Sequence, residues 1–209
     1  MMWLDAISFK AKEHDAINLD WVKQIEYTKK SGERKPLNID DLRFSIDTCC
    51  QGLEHVCSEN ILKESLKNYF NGITEEQMAE SNILAAKSFV EREPEYAYAA
   101  SRLLLLKCYQ EALGYPVSFE RIKMEYATYF DQYIHKAVEL ELLSPDLLQY
   151  DLRKLGHVLQ PKRDFLFKYL GLQTLYDRYF THEAGRRIEL PQIFWMRVSM
   201  GLAKNEGKY

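Results

Sequence analysis

Apolar residues recur in steps of three and four along most of the chain, the period of helices buried by one face. One stripe runs Ile39, Leu42, Ile46, Cys49, Cys50, Leu53 and Val56. Asn38 precedes it as an N-cap, and Asp41 sits in an acidic first turn. A second stripe, Ile61, Leu62, Leu66, Tyr69 and Phe70, is expected to be capped by Ser58 and to stop at Asn71-Gly72. Thr74 and Gln77 have capping-box spacing for a third helix, with Ala79, Ile83, Ala86 and Val90 as a thin inner face. Pro94 opens a fourth, whose run from Leu103 to Leu106 is apolar all round and predicts the most buried helix; it stops at Leu113-Gly114.

The pattern changes on both sides of this set. Residues 1–20 are mixed and read as an arm. Tyr27 and Thr28, the turn residues Ser31-Gly32 and then Pro36-Leu37 predict a short hairpin. Tyr115-Pro116 is the best boundary. Beyond it Ser118 caps a helix with Ile122, Tyr126 and Phe130, and a further helix is expected over Ile134, Val138 and Leu142. Ser144-Pro145 starts another from Asp146, carrying Leu147, Leu148, Leu152 and Leu155. After Pro161 the stretch FLFKYLGLQTLYDRYF is helical at first. Residues 182–186 read as a turn between strands at Tyr179-Phe180 and Arg187-Ile188, and Pro191 opens the last helix, over Ile193, Phe194, Met196, Val198 and Met200. Asn205 to Tyr209 form a polar tail expected to fray. The fold class is mainly α, with a hairpin and four-helix bundle followed by a second helical domain with a small hairpin. The domains are residues 1–20, 21–114 and 115–209.

Composition narrows the function more than the fold. With 46% hydrophobic and 13% aromatic residues in 209, the chain can build a core and does not have the composition of a disordered one. No stretch is long and apolar enough for a membrane span. The formal net charge of -3 gives no footprint for nucleic acid. No secretory leader is visible and the four cysteines, Cys49, Cys50, Cys57 and Cys108, have neither zinc nor disulfide-framework spacing. They read as small core residues in a cytoplasmic protein, with no metal site. No nucleophile elbow, zincin helix, P-loop or dinucleotide fingerprint is present, and the carboxylates read as solvated faces of amphipathic helices. Lys29, Lys30, Arg34 and Lys35 are the densest basic cluster; on spacing alone a solvated hairpin tip is favoured over a phosphate clamp.

Two stretches resemble a known family. TKKSGERKPLNIDDL, then Tyr69-Phe70-Asn71-Gly72-Ile73 and Tyr98-Ala99-Ala100-Ser101-Arg102-Leu103, resemble the ATP-cone domain of ribonucleotide reductase large subunits. RDFLFKYLGLQTLYDRYFTH followed by GRRIELPQIFWMRVSMGLA resembles the helical region after the cone in class I aerobic reductases. Arg163, Asp164, Tyr169, Gly171, Leu175, Tyr179, Pro191, Gln192, Met196 and Arg197 carry that match. Together the resemblance covers about residues 20 to 206.

The resemblance implies the N-terminal regulatory and structural portion of a ribonucleoside-diphosphate reductase large subunit. The family's catalytic barrel and its cysteines lie beyond the region matched, so no catalytic residue is expected here and the chain alone is expected to be inactive. Expected partners are the remainder of the large subunit and the small radical-generating subunit, in a homo-oligomer of the full protein, with no nucleic acid and no membrane. The alternative is a free-standing, non-catalytic cone-like interaction module, or the remnant of a split reductase. In the family the cone binds ATP or dATP as an activity switch. By position its site here is Lys29, Lys30, Lys35, Asn38, Asp41, Glu75 and Gln110. The pattern departs from the family's: Lys35 stands for an acidic residue, Asp41 for a lysine, Ala79 for a histidine and Gln110 for a basic residue. The expectation is therefore a degenerate cone that binds ATP or dATP weakly or not at all and survives as a packing or interface domain, with no other cofactor in the chain.

Overall fold

The structure, a computed structural model, describes residues 21–208, so the expected arm at 1–20 and Tyr209 lie outside the described residues. Strand β1 (Glu26–Thr28) pairs antiparallel with β2 (Arg34–Pro36), Tyr27 opposite Lys35. Gly32 closes the turn with φ +84°, a left-handed conformation that glycine adopts without strain. The hairpin is tied down by the segment at 71–74: Glu26 N donates to Asn71 Oδ1 at 2.9 Å, Gly72 N to Glu26 O at 2.7 Å and Thr28 N to Ile73 O at 2.8 Å. Asn71-Gly72 therefore seats the hairpin as well as following a helix.

Helix α1 (Ile39–Cys50) starts at Asn38, whose Oδ1 accepts from Asp40 N at 3.0 Å, and buries Leu42, Ile46, Cys49 and Cys50. It is shorter than its stripe; Leu53 and Val56 pack from the loop beyond it. Arg102 Nη1 donates to Cys49 O (3.1 Å) and Gln51 O (2.6 Å), satisfying carbonyls a helix end leaves open. In α2 (Ser58–Leu66) the N-cap is Cys57, without a side-chain bond, and Ser58 is the first helical residue rather than the cap. Phe70 was expected inside and is 53% exposed, because α2 ends four residues earlier and the turn rotates it outward. Helix α3 (Glu75–Ser88) has the full Thr74/Gln77 capping box and buries Ile83, Ala85 and Ala86. Helix α4 (Tyr96–Leu113) ends at Gly114 and buries eleven residues, Leu103, Leu104 and Leu105 among them. It is the common wall of the molecule, packed on α3 by one side and on the later helices by the other.

Beyond it, α5 (Phe119–Glu139) is one helix where two were expected. Nothing interrupts it: Ile122, Tyr126, Phe130 and Ile134 continue in steps of four, with no Gly or Pro between them. The helix expected from Asp146 is instead broken. A 3-10 turn, Pro145–Gln149, precedes α6 (Leu152–Val158), which Asp151 caps through Lys154 N at 3.0 Å. Leu148 is exposed as a result. Gly156 lets α6 lie against α5, since a Cβ there would stand 2.9 Å from Ala127 O. A 3-10 turn, Pro161–Leu166, leads to α7 (Tyr169–Arg178).

The second hairpin, β3 (His182–Glu183) and β4 (Arg186–Arg187), sits nearer its turn than expected. Ala184 (φ 49°) and Gly185 (φ 82°) form a two-residue turn with both central residues left-handed. Such a turn brings its immediate neighbours into register, and Phe180 and Ile188 are buried instead as core residues. Helix α8 (Pro191–Leu202) follows, and the tail winds a 3-10 turn over Ala203–Lys208. No helix among the described residues is long and apolar enough to cross a membrane.

Candidate functional site

The first hairpin, α3, α4, α7 and the second hairpin enclose a cleft of 280 Å³. Lys30 comes from the first hairpin, Glu75, Glu76 and Ala79 from α3, and Lys107, Gln110 and Glu111 from α4. Tyr176 and Gly185 to Arg187 close it from the second half. Its central cation, Lys107, is surrounded by carboxylates, and backbone N–H groups engage Glu75 and Glu111. Glu75 Oε2 accepts from Lys30 N at 3.3 Å. Lys107 Nζ stands 3.0 Å from Glu80, 3.7 Å from Glu76 and 4.0 Å from Glu111. Glu111 Oε1 accepts from the Tyr176 hydroxyl at 2.8 Å, and its Oε2 faces Arg187 N at 3.4 Å. The Arg187 guanidinium stacks 4.3 Å from the Tyr176 ring centre and donates to Tyr176 O at 3.1 Å.

Of the residues nominated from the sequence, Lys30, Glu75 and Gln110 meet here, and Ala79 lines the wall between them. The other four do not line the cleft. Lys29 and Lys35 both turn to Glu33, at 3.5 and 3.8 Å. Asn38 is occupied as the α1 cap and Asp41 is exposed in the first turn of that helix. Sequence reasoning missed Glu76, Lys107, Glu111, Tyr176, Arg186 and Arg187. The Lys107/Glu111 pair, four apart inside the most apolar helix, was the available signal: charges there need partners.

The interior holds carboxylates of another kind, which the solvated-face expectation got wrong. Asp164 and Glu189 are fully buried, and Glu111 is 9% exposed. Asp164 accepts from the hydroxyls of Tyr109 (2.7 Å) and Tyr126 (2.9 Å) and from Gln192 Nε2 (3.0 Å), drawing α4, α5 and α8 onto one residue. Burial pushes its carboxyl up to about 6, against the three hydrogen bonds that favour the ionised form. Glu189 pairs with Arg197 through Nε at 2.5 Å and Nη2 at 3.1 Å and accepts from Thr181 N at 3.0 Å. The cysteines add no reactive thiol near the cleft: burial raises the Cys49 and Cys108 thiols, and pushes Cys50 up to about 12.

The family model of the ATP cone domain matches residues 26–110, and that of the ribonucleotide reductase all-alpha domain matches residues 165–208. The chain is an ATP cone joined to the all-alpha domain of a ribonucleotide reductase. It is similar to the ribonucleoside-diphosphate reductase subunit alpha of Chlamydia pneumoniae, at 39% identity over 86% of this chain and 17% of that protein. The same subunit of Chlamydia trachomatis serovar D is 36% identical over 87% of this chain and 18% of its own length. That of Helicobacter pylori strain 26695 is 30% identical over 87% and 22%. The chain thus spans about a fifth of the length of the curated relatives it matches. The cleft lies at the join: Lys30, Glu75 and Gln110 belong to the cone, Tyr176, Arg186 and Arg187 to the all-alpha domain.

Proposed function

We propose that this chain is the regulatory and structural N-terminal portion of a cytoplasmic ribonucleoside-diphosphate reductase alpha subunit, and that its cone no longer holds a nucleotide. It works with the rest of that subunit, in a homo-oligomer, and with a small radical-generating subunit; alone it reduces no ribonucleotide. The supporting observation is that the central cation of the cleft is already engaged, with Lys107 within 4.0 Å of Glu76, Glu80 and Glu111. Four cations, Lys30, Lys107, Arg186 and Arg187, face three carboxylates, Glu75, Glu76 and Glu111. A triphosphate brings several negative charges, and each carboxylate about 4 Å from a phosphate oxygen costs on the order of 4 kcal/mol at a surface-like dielectric. With Ala79 and Gln110 lining the cleft where the family's basic residues stand, losses of roughly 1–3 kcal/mol per missing charged contact accumulate and remove micromolar affinity.

The test is equilibrium dialysis against radiolabelled ATP and dATP, with a turnover assay on a ribonucleoside diphosphate, a dithiol reductant and a radical-generating small subunit. The expected result is no retained nucleotide at low micromolar concentration and no deoxyribonucleotide formed. Retention of either nucleotide at that concentration, or product from this chain alone, overturns the reading.

A further inference from the structure

Two joined domains move against each other where the link is exposed and few side chains cross the join. The link here, residues 114–118, is largely exposed. Yet α4, the cone helix before it, is already fastened into the second half. Tyr109 donates to Asp164 at 2.7 Å, Tyr176 to Glu111 at 2.8 Å, and Tyr129 of α5 to Ala112 O at 3.1 Å. Helix α3 packs on α4 from the cone side. Bending at the link therefore cannot part the halves without stripping α4 from one of them.

A second kind of fastening runs along the same contact. Four cation–ring pairs each join a residue of 26–110 to one of 165–208. Lys87 Nζ of α3 stands 5.5 Å from the Tyr169 ring centre, and the Arg102 guanidinium 5.0 Å from that of Phe165. Lys107 Nζ lies 5.7 Å from Tyr176, and in the reverse sense Lys168 Nζ lies 5.6 Å from Tyr98. All fall within the roughly 6 Å at which a ring face attracts a cation. Tyr98, Arg102 and Lys107 are spread along about 14 Å of α4, so rotation about any one contact is resisted by the others. Arg102 extends the fastening across the cone, because its Nη1 also donates to Cys49 O and Gln51 O at the end of α1.

We propose that the cone and the all-alpha domain form one rigid lever, with α4 as its shaft and the four cation–ring pairs as its fixings, so that a partner displacing the cone carries the all-alpha domain with it. The lever is a property of the join. It holds whether or not the cone takes a nucleotide, and its test involves no ligand.

Residual dipolar couplings of the full chain in a weakly aligning medium test the lever. Fitted separately to residues 26–110 and 165–208, they should give the same magnitude of alignment. A smaller magnitude for either half overturns the proposal, because a domain that moves averages its couplings. Hydrogen exchange tests the fixings. Tyr98→Leu with Tyr169→Leu removes two of the pairs and keeps apolar bulk at both positions. Amides of α7 should then exchange about tenfold faster, with those of α1 unchanged. Unchanged exchange in α7 would show that the pairs fix nothing, and equal acceleration in α1 and α7 would show a general loss of stability. Either result overturns their assignment as fixings.

Discussion

The cleft and the buried network around Asp164 are made of the same chemistry, carboxylates beside tyrosines, with opposite consequences. In the cleft Lys107 and Glu111 are nearly buried, but the other carboxylates Lys107 meets, Glu76 and Glu80, reach solvent, and the Lys30 backbone N–H donates to a half-buried Glu75. Around Asp164 three donors converge on one fully buried group and leave no oxygen idle. What separates the two is solvent. A buried charge without partners is costly enough that its network fixes how helices meet, whereas an exposed one contributes little and can be exchanged. The residues that carried the second family resemblance, Asp164, Gln192 and Arg197, are framework of this kind, and those nominated for the cone site are mostly not.

The largest expected effect sits deepest. Glu189→Ala leaves Arg197 half-buried without its carboxylate and Thr181 N without an acceptor, and should cost about 3–5 kcal/mol by urea denaturation. A loss under about 1 kcal/mol would place this pair with the surface ion pairs.

Asp164→Asn comes next. Its amide N–H would face the Tyr109, Tyr126 and Gln192 donors, a cost of about 1–3 kcal/mol at neutral pH. The wild type also carries a pH signature there. The folded carboxyl titrates near 6, above the roughly 3.9 of an unfolded Asp. The fold therefore favours the protonated form. That contribution is complete below about pH 4 and is lost as pH rises through about 6, on the order of 3 kcal/mol. Urea midpoints from pH 4 to 7 should show the difference between wild type and Asp164→Asn growing toward acid. A constant difference would mean that the group does not titrate in this window.

Tyr176→Phe removes the hydroxyl that Glu111 accepts, but leaves the Arg187 stacking surface, and should cost about 1 kcal/mol in the same assay. Smallest of all, Glu33→Ala frees Lys29 and Lys35 at the hairpin tip and should leave the melting temperature within error of wild type. A clear shift would show that the exposed tip is held more tightly than its solvent contact implies.

Local signals carried much of the fold. The Thr74/Gln77 box, the Asn38 and Ser118 caps, the Gly114 stop and the Gly32 turn are each decided by neighbouring residues, and each is found where expected. The misreadings arose where distant partners decide. Asp164 and Glu189 look like solvated charges until helices remote in sequence surround them, and Phe70 looks like core until the chain turns after α2. The candidate site was half legible for the same reason. Lys30, Glu75 and Gln110 come from the cone, whereas Tyr176, Arg186 and Arg187 arrive from the other side of α4 through tertiary packing.

The central claim is that the cone's own carboxylates take the place of a nucleotide's charge. Calorimetric titration of dATP into the chain, and into a variant combining Glu75→Gln, Glu76→Gln and Gln110→Lys, tests it most directly. The account predicts only heats of dilution for the wild type and a measurable isotherm for the variant. A low-micromolar isotherm for the wild type would contradict it.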